Sequence, residues 1–403
     1  MKFVEFTGPI IRYYREKQGI DIGTICIQTG IQKPQYLEIE TGKKEVFLNT
    51  WKKICDVIGI EFISLFKNED VYEELYDAGL HALLYDDIDE QKRLFENVNE
   101  QHIRKSILFP KFALLRFIYD TMNEDKPPLD MIKTLECFKD AYTLPEQCLY
   151  YDYSGFCYQK VRQYEKAKTL YETAEHLATM ENKDMLYYHM GIMHYRMNEQ
   201  LTALFYFRKA YTMFEKAWNT NRLLYTHGSI GICYSRMSEF EMAKKQFEET
   251  IRLAIQYKNR YVMCTTYDNI AFNCFKMHDY KECIKYCYKA IDMDYHWPFL
   301  FAYLAFSFYK LEDEEKAWEW IHRGKETVKD EAALDLIEYV VLLIEKADCV
   351  DFLEKMYHKF VEEEYYELQK FVLMELSNIF HQRQLYEHEA ECLRELLKLH
   401  GER

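Results

Sequence analysis

Long polar side chains cluster at the start of one short predicted helix near the N-terminus. Gln32, Lys33 and Gln35 stand there, and Lys43 and Lys44 follow in the next loop. A glutamine amide can form paired hydrogen bonds with adenine, and a lysine can donate to guanine. Loop lysines suit phosphate oxygens, which position a protein on DNA without reading its sequence. Side chains of these types are able to contact nucleic acid if the fold presents them to it.

The cysteines, histidines and serines show no pattern typical of an enzyme. Cys283 and Cys287 share one face of a predicted helix, but they and Cys274 occupy packing positions where small apolar residues are expected. The 13 histidines include no His-Glu-x-x-His pattern, and no serine lies in a Gly-x-Ser-x-Gly turn. We therefore expect no enzymatic activity, no metal and no cofactor.

A recurring pair of small residues organises the middle of the chain. From Gly155 to Gly324, a small residue is followed twelve positions later by another, five times. Two antiparallel helices approach closely only where side chains are small, while bulky neighbours fill the space between hairpins. We therefore predict a stack of helical hairpins. The five pairs are Gly155/Ala167, Gly191/Ala203, Gly231/Ala243, Ala271/Cys283 and Ala305/Ala317.

Composition and charge favour a helical chain with two regions. The 35 tyrosines and 26 phenylalanines, against 13 glycines and 7 prolines, fit helices packed through aromatic side chains. Residues 1–66 hold nine Lys/Arg and eight Asp/Glu, which gives a charge of +1. Because the whole chain has a charge of −15, residues 67–403 carry −16. An acidic array repels nucleic acid, so phosphate contacts must come from the first region. We predict two domains, residues 1–66 and 67–403.

The sequence also predicts an intracellular protein. Residues 1–6 include Glu5, where a secretory leader would be apolar, and no segment approaches the about 18 apolar residues of a membrane span. The 12 cysteines are scattered over predicted helices, which favours reduced, buried thiols over a disulfide framework. We expect a cytoplasmic protein that does not enter a membrane.

Residues 1–66 resemble the helix-turn-helix domain of the phage-repressor type. Four short helices are predicted, and Asp21 and Gln32 can cap the second and third. This sequence departs from the family's pattern at Ile22 to Thr24, where the family usually has polar residues that contact phosphate. The matching motifs are Ile11-Arg12-x-x-Arg15, Gly30-Ile31, Tyr36-Leu37-x-Ile39-Glu40-x-Gly42-Lys43-Lys44 and Gly59-Ile60-x-Phe62-x-x-Leu65-Phe66.

This resemblance implies that the first turn of the third helix enters the major groove of double-stranded DNA. For Arg12 and Arg15, either a phosphate contact or a structural pair with Glu40 is possible. A degenerate domain that only dimerises is the alternative, because a charge of +1 is weak for DNA binding. The predicted DNA-contacting residues are Gln32, Lys33, Gln35, Tyr36, Lys43, Lys44, Arg12 and Arg15.

The hairpins resemble tetratricopeptide repeats, which carry Leu-Gly-x-x-Tyr and then Ala-x-x-x-Phe. In such repeats the first helix of each unit lines an inner surface that binds peptide. Asn269 is the leading candidate, because an amide can pair with both the N–H and the C=O of an extended backbone. The alternative is that the aromatic stripes are core. The candidates are Tyr188, Arg196, Tyr225, Ser229, Arg236, Asp268, Asn269, Phe272, Lys276 and Tyr303.

In architecture the whole chain resembles the RRNPP group of peptide-pheromone regulators. The expected fold class is all-α, an N-terminal helix-turn-helix domain followed by a right-handed tetratricopeptide superhelix. The resemblance implies a homodimer, an imported short linear peptide as ligand, and DNA affinity that changes when the peptide binds. Two other functions stay open: a Rap-like inhibitor of a response regulator, and a peptide-regulated protein–protein adaptor, both acting without DNA.

Overall fold

The computed structural model describes residues 4–97, 100–177 and 183–399, and every regular element in those ranges is a helix. The prediction of an all-α chain is therefore confirmed. Two compact units divide the chain: residues 1–193 with 212–222, and residues 194–211 with 223–403.

Four short helices open the first unit, in the predicted order. The second begins after Asp21, whose carboxylate accepts a 3.1 Å hydrogen bond from the N–H of Thr24, and it ends at Gly30 with a φ of 75°. Gln32 is the N-cap of the third helix, but its side chain makes no capping hydrogen bond. The helices are α1 (Thr7–Lys17), α2 (Ile22–Thr29), α3 (Lys33–Glu40) and α4 (Leu48–Ile58), flanked by 3-10 turns at Val4–Phe6 and Phe62–Phe66.

Seven further helices follow up to residue 177. Gly155 faces Tyr171 so closely that an added Cβ would lie 2.7 Å from the tyrosine ring, which explains the small residue there. The helices are α5 (Glu69–Leu84), α6 (Ile88–Asn97), α7 (Glu100–Ile103), α8 (Phe109–Asn123), α9 (Leu129–Glu136), α10 (Leu144–Lys160) and α11 (Tyr164–Leu177), with a 3-10 turn at Lys139–Ala141.

Residues 1–66 share one hydrophobic core with these later helices. The ring of Tyr13 on α1 lies 5.1 Å from that of Phe109 on α8 and 5.6 Å from that of Phe138, which follows α9. The N–H of Ile107 donates a 2.7 Å hydrogen bond to the carbonyl of Leu65. The head formed by α1–α4 is therefore packed against the start of the array, and the boundary at residue 66 stays a prediction.

The remaining helices form the predicted succession of hairpins. At the small position of α14, a Cβ added to Gly231 would lie 2.5 Å from the ring of Phe247 on α15. The helices are α12 (Asp184–Arg196), α13 (Gln200–Lys216), α14 (Thr220–Arg236), α15 (Phe240–Gln256), α16 (Arg260–Lys276), α17 (Tyr280–Ile291), α18 (Pro298–Lys310), α19 (Glu314–Thr327), α20 (Glu331–Ile344), α21 (Val350–Glu362), α22 (Tyr366–Gln382) and α23 (Tyr386–Leu399).

Helix α22 packs against the first helices of several preceding hairpins in the second unit. The ring of Phe371 lies 5.5 Å from Phe275 on α16, 5.5 Å from Phe306 on α18 and 6.1 Å from Tyr339 on α20. Aromatic rings at these separations and tilts attract one another in addition to burying area. Helix α22 thus covers part of the face that α16 and α18 present.

Candidate functional site

The first turn of α3 carries the exposed polar groups that the sequence predicted. Gln32 and Lys33 are exposed, Gln35 is half-buried, and in the following loop Lys43 is exposed and Lys44 half-buried. The positive end of a helix dipole adds to their charge at this point. The first turn of α3 and the following loop are therefore accessible from one stretch of surface residues, and their contacts with DNA stay a prediction.

Two predicted DNA contacts are wrong, because Tyr36 and Arg15 belong to a buried network. The Tyr36 hydroxyl donates a 2.7 Å hydrogen bond to Glu40, and Arg15 Nε donates one of 2.6 Å to the same carboxylate. Arg15 also donates to the carbonyl of Ile20 at 3.2 Å, and burial raises the pKa of Tyr36. For Arg15 the alternative of a structural pair with Glu40 is confirmed. The network ties α1 to α3 and so orients the first turn of α3.

Arg12 pairs with a residue that the sequence analysis did not name. Its Nε donates a 3.0 Å hydrogen bond to Glu16, four residues along α1, and that hydrogen bond raises the pKa of Arg12. The pair is half-exposed, so its contribution to stability is small. The phosphate contact of Arg12 stays a prediction.

The predicted peptide-contacting residues fall on four helices. Tyr188 belongs to the first unit, and Arg196, at the end of α12, is exposed and belongs to the second. On α14, the Ser229 hydroxyl donates to the Tyr225 carbonyl at 2.9 Å. Tyr303 on α18 is only 6% exposed and is in contact with Phe272, Phe275 and Phe299. Its predicted contact with peptide is wrong, because it packs in the core.

Two adjacent polar side chains of the predicted set lie on α16. Asn269 is half-buried. Asp268 is also half-buried overall, but its Oδ1 is fully buried and unpartnered. Burial raises the pKa of Asp268 to about 7. Because buried polar atoms are nearly always paired, the Oδ1 of Asp268 is an exception that a ligand could explain.

Lys276 and Arg236 meet two residues that sequence reasoning missed, Glu367 and Lys370 of α22. Lys276 Nζ lies 2.8 Å and Lys370 Nζ 3.2 Å from the Glu367 carboxylate, and Arg236 Nε lies 3.7 Å from it. We call these four residues the Glu367 cluster. Lys276 also donates to the carbonyl of Ser235 at 2.9 Å. No periodic signal links α16 to α22, so only the fold reveals this cluster.

The charges of the Glu367 cluster shift the pKa values of its members. Burial lowers the pKa of Lys276, and Glu367 only partly offsets this. Burial alone would raise the pKa of Glu367, but Lys276, Lys370 and Arg236 together bring it below its usual value. Three basic side chains thus surround the single carboxylate of the cluster.

A cavity of about 220 Å³ adjoins the Glu367 cluster on the side of α16 and α18. Its walls are largely aromatic, and Phe272, Lys276, Glu367 and Lys370 all line it. The remaining lining residues are Ser238, Phe240, Phe275, His278, Tyr280, Phe306, Phe371, Met374, Glu375 and Leu396. An apolar cavity with a few convergent charged groups is typical of a ligand site.

Within the described ranges, no group of three or more His, Cys, Asp or Glu side chains is placed to hold a metal ion. None of the helices between residues 4 and 399 that the structure describes is long and apolar enough to cross a membrane.

One curated protein resembles this chain in sequence. The transcriptional activator NprA of Geobacillus stearothermophilus is 22% identical over 279 residues, which are 65% of this chain and 66% of NprA. The matched region thus spans just under two thirds of that relative. No family model matches the chain.

Solved structures resemble the chain more extensively. The apo form of the quorum sensor NprR from B. thuringiensis superposes with a TM-score of 0.62 at 18% identity, over 82% of this chain and 99% of NprR. NprR in complex with its cognate peptide NprX gives 0.57 at 19% identity, over 82% and 99%. A Rap protein complexed with Competence and Sporulation Factor gives 0.62 at 18%, over 85% and 99%. The fold of this chain is that of these proteins.

Proposed function

We propose that this chain is a transcriptional regulator that binds DNA through its N-terminal head and whose array binds a short signalling peptide that alters DNA binding. The observation that carries the proposal is the buried Oδ1 of Asp268 on α16, which has no hydrogen-bond partner and stands beside the half-buried Asn269. A buried polar atom without a partner is rare in folded proteins, and a bound ligand is one way to supply the missing partner. The similarity to NprA, named a transcriptional activator, and to NprR, solved with a cognate peptide, supports both halves of the proposal.

For the DNA half, the supporting geometry is the exposed first turn of α3, fixed in place by the buried Arg15–Glu40 pair. Gln32, Lys33 and Gln35 are the proposed base contacts, and Lys43, Lys44 and Arg12 the proposed phosphate contacts. A head with a charge of only +1 binds tightly when two copies engage one site, so the protein acts as a homodimer on a two-fold-symmetric operator. A cytoplasmic location follows from this function.

For the peptide half, a ligand shifts DNA affinity only if it prefers one conformation of the protein. The proposed contacts are Asn269 and Asp268 at the centre and Phe272 and Lys276 one and two turns further along α16. Tyr225, Ser229, Arg236 and Arg196 complete the proposed set in the second unit, and Tyr188, in the first unit, stays a separate proposal.

A second candidate is a Rap-like adaptor that acts without DNA. The close packing of α1 against the helices that follow favours it, because the head then has no core of its own. The Rap structure covers as much of the chain as the NprR structure does. The two candidates differ in whether the protein binds DNA through α3.

The test is a selection of random duplex DNA by the purified full-length chain, followed by fluorescence anisotropy on the selected sequence. We expect Lys33→Ala to weaken binding by about tenfold, which is about 1.4 kcal/mol. Lys53→Ala removes the same charge from an exposed position on α4 and should change affinity little. If no sequence is enriched, or if both variants bind as the unmodified chain does, the adaptor replaces the regulator.

A further inference from the structure

We propose that Leu37 of α3 reads the 5-methyl group of a thymine in the major groove of DNA. This inference rests on the proposed DNA binding, and it adds a residue that selects a base pair without a hydrogen bond. The exposure of Leu37, the anchoring of α3 and the charges around Leu37 support it.

Leu37 lies on the outward side of α3, although its side chain is apolar. It is 41% exposed, and Lys33, one turn earlier on the same side of the helix, is exposed too. The buried residues of α3 face the interior of the head, and they are Tyr36, Ile39 and Glu40. A groove that receives the exposed side of α3 therefore meets Leu37 directly.

Contacts inside the head fix the direction in which this side points. Glu40 is 3% exposed, and its carboxylate accepts a 2.6 Å hydrogen bond from Arg15 on α1. Helix α1 also lies so close to α3 that a Cβ added to Gly8 would be 2.4 Å from the carbonyl oxygen of Ile39. Side chains that recognise a ligand must be held by a rigid support, and α3 gives Leu37 such a support.

Lysine residues lie before and after Leu37 in the chain. Lys33 stands at the start of α3, and the N–H groups of Lys43 and Lys44 donate to the carbonyl of Glu38 at 2.9 and 3.2 Å. The loop that carries these two lysines is therefore anchored at the residue that follows Leu37. Lysine side chains in these places suit phosphate groups along the groove, and Leu37 between them suits the base edges.

Leucine neither donates nor accepts hydrogen bonds through its side chain, so it distinguishes base pairs only through their apolar groups. In the major groove, the 5-methyl group of thymine is the apolar feature that sets one base apart from the others. Glu38, the exposed residue that follows Leu37, carries a carboxylate that phosphate repels. This part of α3 therefore suits base edges rather than the DNA backbone, and thymine is the base that fits Leu37.

The test replaces each thymine of the selected duplex in turn by deoxyuridine, which forms the same base pair and lacks only the 5-methyl group. Fluorescence anisotropy with the full-length protein gives the Kd for each duplex. Burial of one methyl group changes affinity by about fourfold, so we expect one thymine in each half-site whose replacement weakens binding by about that factor. Replacement in both half-sites should weaken binding by about 15-fold.

Two matched variants assign the effect to its residue. Leu37→Ala should bind the thymine and deoxyuridine duplexes equally, because the side chain that contacts the methyl group is gone. Leu48, the first residue of α4, is also 41% exposed, so Leu48→Ala removes the same apolar group from a position outside α3. This control should keep the full difference between the two duplexes. A Leu37→Ala variant that still distinguishes them would overturn the assignment.

The outcomes separate this inference from the function beneath it. If the unmodified protein binds the thymine and deoxyuridine duplexes equally at every position, the inference is overturned and DNA binding stands, even if Leu37→Ala fails to fold. A selected sequence without thymine in its half-sites has the same meaning. If the selection enriches no sequence, DNA binding itself is overturned, and the inference with it.

Discussion

Lys276 on α16 donates a 2.8 Å hydrogen bond to Glu367 on α22. The two residues are 91 positions apart in the chain, and their ion pair joins the two helices. The side chains are only 16% and 15% exposed. Because Arg236 and Lys370 share the same carboxylate, Glu367 is the anion that keeps three buried cations in place. The contact connects the inner face of the array to its C-terminal hairpin.

Neutralising Glu367 should destabilise the protein strongly. Glu367→Gln leaves Arg236, Lys276 and Lys370 buried without their anion, and removing one partner of a buried ion pair typically costs about 3 to 5 kcal/mol. Urea unfolding of the full chain measures the difference. The exposed Glu391→Gln on α23 is the control and should stay within about 0.5 kcal/mol. Equal stability of the two variants would mean that the cluster is not closed in solution.

Two glycines on α14 should respond oppositely to the same substitution. Gly231→Ala places a Cβ 2.5 Å from the Phe247 ring and should destabilise the protein by about 1 to 3 kcal/mol. At Gly228 the nearest atom, on Thr250, is 4.0 Å away, so Gly228→Ala should stabilise by up to about 1 kcal/mol through helix propensity. Thermal and urea unfolding check both. A neutral Gly231→Ala would show that α14 and α15 are less closely packed than described.

Asp268 should make stability depend on pH. Its pKa is raised from 3.8 to about 7 in the folded chain, so between these values the folded state holds a proton that the unfolded state has lost. The stabilisation is therefore complete below about pH 4 and is lost as pH rises through about 7. We expect Asp268→Asn to be the more stable protein at pH 8 by about 2 kcal/mol. This is less than the full pKa shift corresponds to, because the residue is half-buried and water screens part of the effect. Urea unfolding at pH 5 and pH 8 measures this, and a difference that does not vary with pH would contradict it.

Substitutions in the head should distinguish the side chains that read bases from those that contact phosphate. Gln35→Ala should relax the preference at one base pair, at a cost of about 1 to 3 kcal/mol for the preferred base. Lys43→Ala, in the exposed loop, should weaken all sequences similarly and lower the salt dependence of binding. Competition titrations with single-base variants of the selected duplex measure both. A Gln35→Ala variant that keeps its sequence preference would remove α3 from the role of recognition helix.

The sequence was sufficient for the elements whose signals are local. The Asp21 cap, the end of α2 at Gly30, and the pairs Gly155/Ala167 and Gly231/Ala243 depend on neighbours in the chain or on a fixed period, and the structure agrees with them. These signals predicted the helices and the class of repeat.

The predictions failed where a long-range partner decides the environment of a side chain. Tyr36 lies in the first turn of α3, but its hydroxyl joins the buried pair that Glu40 forms with Arg15, 25 positions from Glu40 along the chain. Tyr303 shows the same limit, since its burial depends on how α18 packs against α16. Glu367 and Lys370 lie where the repeat pattern fades, so nothing in the chain indicated that they meet Lys276.

The most direct measurement of the central claim is the affinity of the protein for the selected duplex, by fluorescence anisotropy. It is made with and without a saturating peptide, chosen from random pentapeptides by its retention on the full-length protein. We expect the peptide to change the Kd by at least about tenfold. Asn269→Ala should bind DNA normally without peptide and show no change with it, while Asn378→Ala, an exposed amide on α22, should respond as the unmodified protein does. A Kd that is the same with and without saturating peptide would contradict the account.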